Sequence, residues 1–331
     1  MEEELYKVSV IIPIYKVEAF IGRCAESLMR QTLKEGVEFI FVDDATPDGS
    51  IGVLEEVLER YPERRTQVRL LRHEANKGLP AARNTGLAEA RGTYVFHCDS
   101  DDYVEPEMLA QMYTFAKEGN YDIVWSDWFL TYSDRERYMR QPEYITPFEA
   151  LKGMLGGVMK FNVWNKLVRR SLYTKNRIMF PTGYGMGEDM TIMRLFARSK
   201  RVAYLSKAFY HYVQQNAEAF SKTYSKRHLR ELQHNVSIIE DDMHHLYGKQ
   251  LERELAFLKL DVKFPFLMSS DAEKYTLWET WYPEANQFIL QNRNLSFRRR
   301  CLQWCAWKGQ WWVLRFYDRF ITNGLYRILY H

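Results

Sequence analysis

The sequence has 331 residues, of which 46% are hydrophobic and 27% are charged. This composition excludes a largely disordered chain and allows one large core with an appended module. The formal net charge of +3 is too small to indicate nucleic acid binding over the whole surface, so no nucleic acid partner is expected.

The sequence shows no pattern of a secretory signal or of a membrane-spanning helix. The first residues, MEEELYKVSV, have neither the basic nor the apolar region of a secretory signal, and no apolar run reaches the ~20 residues of a spanning helix. Cys301 and Cys305 share a helical face but lack nearby partners for a zinc site, which indicates core thiols. We therefore expect a cytoplasmic protein.

Short apolar runs alternate with helical patterns over roughly the first 120 residues. The β-branched run VSVIIPI predicts a strand buried on both faces, and a helix from about Glu18 to Arg30 follows. The later elements are VEFIFVDD, a helix from near Ser50, QVRLLRH, a helix with Pro80 in its first turn, GTYVFHCD, and a helix that starts at Pro106. This alternation predicts an α/β fold, with a mostly parallel sheet flanked by helices.

Polar side chains follow three of the predicted strands, at the edge where ligands bind in such sheets. Tyr15 follows the first strand, Asp43 and Asp44 end the second, and Asp99 and Asp101 follow the fourth. A ring to stack on a base, a carboxylate to accept from base or ribose, and a carboxylate pair for a metal ion would suit a nucleotide. In an extended chain Asp99 and Asp101 point the same way, as two ligands of Mg²⁺ or Mn²⁺ would.

Several segments resemble the family 2 glycosyltransferases, bacterial members of which are inverting enzymes of the GT-A fold that use nucleotide-sugar donors. These segments are VSVIIPIYKVEAFIGRCAESLMRQT, FIFVDDATPDGS, NKGLPAARNTGLAEARGTYVFHCDSDDYVEPEML and GEDM, in order within residues 7–213. The resemblance implies a GT-A catalytic domain over residues 1–215. Its donor half is expected to end near residue 102 and its acceptor half to occupy residues 103–215.

The resemblance also assigns roles to single residues. Tyr15 matches the ring that packs on the donor base, and Asp44 matches the carboxylate that accepts from it. Asp101 matches the direct ligand of Mn²⁺ or Mg²⁺, with Asp99 nearer the ribose and the waters of the metal. The donor-binding residues that it implies are Pro13, Tyr15, Asp43, Asp44, Lys77, Arg83, Asp99 and Ser100.

One segment departs from the family pattern. DDATPDGS has Ala45 and Pro47 where the family commonly shows DDGSTDGS, so we expect a stiffer turn. Both aspartates are retained, and the donor site is still expected. Asp48, two residues before Ser50, is typical of a helix cap rather than of a ligand-binding residue.

The catalytic base is expected in the second half of the domain. Glu188 and Asp189 lie where the glycine-rich stretch GYGMG gives way to an amphipathic helix, and this stretch does not fit the dinucleotide-binding pattern G-x-G-x-x-G. In the resembling family the aspartate of this pair deprotonates the acceptor hydroxyl, which implies Asp189 as base with Glu188 beside it. The alternative is that both carboxylates only favour the positive end of a helix dipole.

Four further residues are candidates for the site. His211 follows another predicted strand, and the resemblance implies a ligand of the metal or the diphosphate there, with packing as the alternative. In VWNKLVRRSLY, Trp164 is predicted to stack on a sugar face or else to lie in the core. Asn165 and Lys166 are predicted to line the acceptor or diphosphate side.

Residues 216–331 are expected to form a separate helical module, whose charges are most simply a solvated face. In its last segment, Trp304, Trp307 and Trp311 lie opposite an apolar helical stripe, with Lys and Arg between them. Trp with basic residues favours lipid headgroups, so residues 297–331 predict a peripheral membrane contact. The alternative is a protein surface, such as that of a homo-oligomer.

The function that the resemblance implies is metal-dependent transfer of a sugar from a nucleotide-sugar, with a UDP-sugar expected. The implied acceptor is a glycan or a polyprenyl-linked carrier in surface polysaccharide assembly, at the inner face of the cytoplasmic membrane. A nucleotidyltransferase, which would release pyrophosphate, and a catalytically silent nucleotide-sugar-binding protein are the alternatives. Glycoside hydrolysis is disfavoured because it needs no nucleotide cradle.

Overall fold

The computed structural model describes residues 6–214, 225–269 and 271–319. The strands in these ranges are β1 (Val8–Ile14), β2 (Val37–Asp43), β3 (Val68–Arg72), β4 (Tyr94–His97), β5 (Tyr103–Val104), β6 (Ile123–Thr131), β7 (Glu136–Met139), β8 (Lys166–Arg169) and β9 (Val202–Val213). The helices are α1 (Glu18–Met29), α2 (Ser50–Glu59), α3 (Leu79–Glu89), α4 (Met108–Glu118), α5 (Pro147–Leu155), α6 (Arg170–Asn176), α7 (Thr191–Phe196), α8 (Lys226–Tyr247), α9 (Glu252–Lys263), α10 (Ala272–Thr280), α11 (Phe297–Trp307) and α12 (Trp311–Tyr317).

The strands form one sheet in the order β3-β2-β1-β4-β8-β6-β9-β5, with β7 paired to β6. The first four strands in this order are parallel, as predicted from the alternation of strand and helix. Beyond β4 the sheet is mixed rather than mostly parallel, because β8 runs antiparallel to both β4 and β6. Every residue of β1 and β2 is buried, as expected for strands with helices on both faces.

The chain divides into two compact units. The first comprises Met1–Ala150 and Phe161–Ile239, and contains the sheet. The second comprises Leu151–Lys160 and Glu240–His331. The predicted domain boundary between residues 215 and 216 lies outside the described residues. The first part of α8 belongs to the first unit.

The second unit is helical and has a buried lysine in its core. Lys263 Nζ donates to the carbonyl oxygen of Trp281 and to Asn286 Oδ1, each over 2.7 Å, and lies 4.3 Å from the centre of the Trp278 ring. Burial lowers the pKa of Lys263 to about 7. This side chain joins the end of α9 to the chain that follows α10. None of the described helices combines the length and apolar character that a bilayer crossing requires.

Gly86 lets α3 approach β1 closely. A Cβ built at Gly86 would lie 2.4 Å from Ile11 Cγ2, whereas one built at Gly52 of α2 would meet nothing within 4 Å. We expect Gly86→Ala to lower the free energy of unfolding by about 1–3 kcal/mol through overpacking. Gly52→Ala, the matched control, should raise it by about 0.4–1 kcal/mol, because alanine restricts the unfolded chain. Urea unfolding of both variants checks this, and a shift of both in the same direction would contradict it.

Candidate active site

The carboxyl ends of β1, β2 and β4 lie side by side. Ile14 pairs with Asp43 across β1 and β2, and β1 pairs with β4 as far as Ile11 and His97. Tyr15 follows β1 and is 42% exposed, with the Lys16 ammonium 5.6 Å from its ring centre. The arrangement leaves this ring accessible at the edge where the sequence predicted a nucleotide.

Arg83 of α3 lies at the centre of three carboxylates. Its Nη1 donates to Asp189 Oδ1 over 2.6 Å and to Glu188 Oε1 over 3.1 Å, and its Nη2 donates to Asp99 Oδ1 over 2.9 Å. Arg83 is only 1% exposed. One guanidinium therefore joins the predicted metal motif to the predicted base, although more than 100 residues separate Arg83 from Asp189 along the chain.

The carboxylates outnumber the guanidinium, and this imbalance changes their proton affinity. Burial raises the pKa of Glu188 to about 8, with Asp189 adding to the rise and Arg83 opposing it. Burial likewise raises the pKa of Asp99 to about 6, where Arg83 opposes the rise while Asp189 and Asp101 add to it. The cluster carries excess negative charge, which protons or a bound cation would relieve.

Glu188 should make the stability of the protein depend on pH. Its folded-state pKa lies above the ordinary value of 4.5, so its contribution to stability is complete below about pH 4.5 and is lost as the pH rises through about 8. Between about pH 5 and about pH 8, wild type should lose stability relative to Glu188→Gln by at most about 1.4 kcal/mol per pH unit. Urea unfolding against pH measures this difference.

The matched control for this experiment is Glu56→Gln, which changes an exposed carboxylate of α2. The control should follow the pH dependence of wild type. A difference between wild type and Glu188→Gln that stays constant with pH would show that Glu188 does not titrate as the burial of its carboxyl implies.

Asp44 fixes the loop that leads into α3. Its Oδ1 accepts from the Lys77 backbone N–H over 2.8 Å and lies 2.7 Å from His73 Nδ1, and its Oδ2 accepts from the Gly78 backbone N–H over 2.8 Å. Asp43 is engaged through Oδ1 alone, which accepts from the Thr46 backbone N–H over 2.9 Å. Both oxygens of Asp44 thus have protein donors. Among the described residues, no donor faces Oδ2 of Asp43.

The turn after β2 contains a strained residue and is held by hydrogen bonds to both neighbouring helices and β1. Ala45 has a φ of +53°, in the left-handed region that glycine adopts without strain. Thr46 Oγ1 accepts from the Lys16 backbone N–H over 2.8 Å, which ties the turn to the end of β1. Asp48 accepts from the backbone N–H groups of Glu18, over 3.1 Å, and Ser50, over 3.3 Å, so it serves the first residues of both α1 and α2.

The acidic loop after β4 contains one fully buried carboxylate, Asp102, and two partly exposed ones, Asp99 and Asp101. Asp102 is fully buried and accepts from the Tyr210 hydroxyl and the Val213 backbone N–H, each over 2.7 Å. Tyr210 in turn accepts from the Asp99 backbone N–H over 3.0 Å. Ser100 is also buried. Asp102 and Tyr210, which the sequence analysis did not single out, fix the loop on β9 and leave Asp99 and Asp101 at the edge.

Asp99 and Asp101 fit a metal ion that is shared with a ligand. The negative charge of Asp101 raises the pKa of Asp99, so a cation bound between the two carboxylates would relieve their mutual repulsion. No group of three or more His, Cys, Asp or Glu side chains within the described part of the chain is arranged to hold a metal. Mg²⁺ typically takes one or two carboxylates together with phosphate oxygens and water, which suits this pair.

His211 does not fit the predicted role of metal ligand. Its Nδ1 lies 2.7 Å from Glu136 Oε1 and its Nε2 lies 2.8 Å from Glu105 Oε1, so both ring nitrogens are engaged. The ring stacks between Tyr103 and Phe129, at centroid distances of 4.1 and 4.7 Å. His211 therefore packs β5 and β6 around β9, and it lacks a free nitrogen for a metal.

The segment before β8 lies partly in the core. Trp164 is 4% exposed and stacks on Tyr210 at 4.5 Å, so its face is covered by protein rather than open to a sugar. Lys166 is fully buried, and its Nζ donates to Asn165 Oδ1 over 2.7 Å. Burial lowers the pKa of Lys166 to about 7, while the charge of Asp189 opposes this shift. Lys166 is thus within electrostatic reach of the predicted base.

The first part of α8 holds the loop that presents Glu188 and Asp189. Glu231 Oε2 accepts from the Met186 backbone N–H over 3.1 Å, and Asn235 Nδ2 donates to the Met186 carbonyl over 2.7 Å. Both polar side chains are 3% exposed, so the prediction of a solvated face for the charges of this helix is wrong at Glu231. A signal was available in the sequence. Glu231 and Asn235 are spaced i, i+4 and lie next to the apolar stripe of Leu232 and Val236, which indicates a buried face.

Sequence comparison identifies relatives of known name. The model of glycosyl transferase family 2 matches residues 9–190. An uncharacterized glycosyltransferase of Bacillus subtilis, EpsJ, is 36% identical over 216 residues, and the cholesterol galactosyltransferase of Borreliella burgdorferi is 33% identical over 220 residues. The matches cover 62% of this chain and 60% and 59% of those relatives, so the chain spans about 60% of their length.

Structure comparison identifies a shared fold. Staphylococcus aureus TarS 1–349, solved in complex with UDP, matches with a TM-score of 0.70 and 22% identity, over 96% of this chain and 92% of that one. A mannosyltransferase of Pyrobaculum calidifontis, solved with GDP-Man and Mn²⁺, matches with a TM-score of 0.54 and 15% identity, over 96% and 88%. These likenesses confirm the predicted GT-A fold class. Because the family model matches more than half of its length, the chain belongs to glycosyl transferase family 2.

Proposed function

We propose that the protein is an inverting glycosyltransferase that moves a sugar from a UDP-sugar to a hydroxyl of a glycan or a polyprenyl-linked carrier. The observation that carries the proposal is the ion-paired cluster of Arg83, Asp99, Glu188 and Asp189, within the family match and beyond the ends of parallel strands. The TarS structures with UDP and UDP-GlcNAc support a uridine donor.

The donor would lie across the ends of β1, β2 and β4. Tyr15 has the exposed ring that stacking on a base needs. Asp44 is held in place by the Lys77–Gly78 backbone and, since each carboxylate oxygen can accept two hydrogen bonds, its Oδ2 can still accept from the base. Asp43 beside it is engaged through Oδ1 and would support the same site. Pro13 and Ser100 are buried at the same edge and would shape the site rather than bind through exposed groups.

Asp101 and Asp99 would hold Mn²⁺ or Mg²⁺ together with the diphosphate. When bound, the ion would neutralise charge that develops on the leaving diphosphate. Arg83 keeps Asp99 in place through Nη2, so the guanidinium would set the position of one of the two carboxylates. His211 has no part in this proposal, because Glu105 and Glu136 take both of its nitrogens.

Asp189 would act as the general base. It would take the proton of the acceptor hydroxyl as that oxygen attacks the anomeric carbon, and the bond to the diphosphate would break on the opposite face. Glu188, whose pKa of about 8 keeps it largely protonated near neutral pH, is the poorer candidate of the pair. Lys166, whose charge interacts with that of Asp189, would support the acceptor side, and Asn165 would hold the Lys166 ammonium group in place.

The acceptor class rests on the relatives. Poly(ribitol-phosphate) β-glucosyltransferase of Bacillus spizizenii is 31% identical over 242 residues, and its name supports a surface polymer as acceptor. With a polyprenyl-linked acceptor, the enzyme would work at the inner face of the cytoplasmic membrane. Family membership favours sugar transfer over nucleotidyl transfer and over a catalytically silent binding protein.

Isothermal titration calorimetry tests this function. We expect UDP to bind wild type in a manner that requires Mn²⁺ or Mg²⁺, and we expect Asp101→Ala to lose that metal requirement together with most of the affinity. Asp134→Ala, which removes an exposed carboxylate between β6 and β7, is the matched control and should bind as wild type does. Folded protein that binds no nucleotide with either metal would overturn the proposal.

A further inference from the structure

Two helices of the second unit expose large aromatic side chains. Phe297 is 75% exposed, Trp312 is 70%, Phe316 is 56% and Trp307 is 41%. The exposed residues of α12 and its end form one stripe at helical spacing, opposite the buried Leu314, and this stripe consists of Trp312, Arg315, Phe316 and Arg319. Aromatic and basic side chains therefore alternate along its outer face.

The exposed charges of the same region have one sign. Residues 285–319 contain a single acidic residue, Asp318, which is buried. Their basic residues are Arg293, Arg298, Arg299, Arg300, Lys308, Arg315 and Arg319. One of them, Arg299, is paired with Asp261 of α9, whereas Arg298, Lys308 and Arg315 are exposed. The outer faces of α11 and α12 thus present positive charge beside apolar rings.

The fold already has other residues to hold these helices. Trp311 stacks on Tyr275 of α10 at a centroid distance of 4.9 Å, and Leu302, Ala306 and Leu314 are buried. The four rings nevertheless remain 41–75% exposed beside this packing. The start of α11 lies near the end of α12, since the Arg298 guanidinium is 5.7 Å from the centre of the Tyr317 ring. Exposed rings that are grouped on one part of a surface indicate an interaction site.

We propose that this basic aromatic surface binds the anionic headgroup region of a phospholipid bilayer. The surface is defined by Phe297, Arg298, Trp307, Lys308, Trp312, Arg315, Phe316 and Arg319. Its rings would enter the boundary between headgroups and acyl chains while the guanidinium and ammonium groups remain with lipid phosphates. The rest of the predicted membrane-binding segment, residues 320–331, lies outside the described residues.

Charge favours lipid over a second copy of the chain. In a two-fold symmetric contact the surface would face itself. Four exposed basic groups on each side would then oppose one another, and residues 285–319 offer no exposed acidic partner, because Asp318 is buried. Shape favours lipid over a single-stranded nucleic acid or another soluble polyanion. Such ligands bind in grooves lined with rings, whereas Trp312 and Phe297 project from outer helix faces.

Flotation of the full chain with vesicles tests the proposal independently of catalysis. We expect binding to vesicles of phosphatidylcholine with phosphatidylglycerol, little binding to phosphatidylcholine alone, and weakening by salt. The double variant Arg315→Gln/Arg319→Gln should bind about fivefold more weakly for each charge removed. Trp312→Ser/Phe316→Ser should bind weakly while the fold, monitored by circular dichroism, is unchanged.

Two controls separate this surface from general effects. Lys274→Gln removes an exposed charge from α10 of the same unit, and Ile145→Ser changes a residue of the first unit that is 85% exposed, and both should bind vesicles as wild type does. Equal binding to both vesicle types, or no binding by wild type, would overturn the proposal. A dimer that is seen by light scattering and abolished by Trp312→Ser would also overturn it. The same holds if inorganic polyphosphate binds as tightly as the vesicles do and Trp312→Ser leaves that binding unchanged.

Discussion

Asp189→Asn is expected to lower kcat by about 10²–10⁴-fold, the usual contribution of a general base. Asparagine keeps the size of the side chain and can still contact Arg83, which now pairs with Asp189 Oδ1 over 2.6 Å. It cannot accept the proton of the acceptor hydroxyl. UDP affinity should remain near that of wild type, because the variant leaves Tyr15, Asp43 and Asp101 untouched. Steady-state rates and UDP calorimetry on the same preparation measure both quantities.

Glu188→Gln is the matched control for this loss. Glutamine imitates the protonated carboxyl that the raised pKa of Glu188 favours at neutral pH, so this variant should retain most of the activity. If Glu188→Gln were the inactive variant and Asp189→Asn the active one, the base would have to be reassigned to Glu188. If both kept wild-type kcat, the carboxylate pair would serve only the start of the 3-10 turn Glu188–Met190.

Arg83→Met is expected to lower the free energy of unfolding by about 3–5 kcal/mol, the usual effect of removing one partner from a buried ionic network. The variant would leave Asp99, Glu188 and Asp189 close together without their shared cation. The loss should be larger at about pH 8 than at about pH 5, because the carboxylates can take up protons at the lower pH. Urea unfolding at both pH values measures the effect.

Two further variants serve as controls for Arg83→Met. Arg83→Lys keeps the charge but not the planar fork that reaches three carboxylates, so its loss should be smaller than that of Arg83→Met. Arg72→Ala removes an arginine whose pair with Glu55 is more than half exposed on both sides, and should change stability by no more than about 1 kcal/mol. An Arg83→Met variant as stable as Arg72→Ala would mean that the three carboxylates do not depend on the guanidinium.

The donor half of the fold could be predicted from local sequence, because its signals are local. VSVIIPI and VEFIFVDD are apolar runs bounded by turns, and the structure places β1 and β2 there with every residue buried. The strand pairing beyond β4 could not be predicted in this way. β8 joins β4 and β6 through contacts between distant segments, and a four-residue strand leaves little periodicity to detect.

The candidate site shows the same division. Asp99, Asp101 and Asp102 are alike in sequence, and only their partners distinguish the buried anchor Asp102 from the two residues at the edge. The ion pair of Arg83 and Asp189 joins the two halves of the domain, so it could not be predicted from the spacing of residues along the chain. His211 lies between two glutamates that are 75 and 106 residues away in the chain. Its contacts with them could therefore not be predicted from the local sequence.

The anomeric configuration of the first product tests the central claim most directly. Purified protein would be incubated with an α-linked UDP-sugar, Mn²⁺ and glycan or polyprenyl-linked acceptors, and proton NMR at early times would read the new linkage. A single displacement at the Arg83-centred site predicts a β-linked product, with UDP released in equal amount and both lost in Asp189→Asn. An α-linked product, or the release of pyrophosphate in place of UDP, would contradict it.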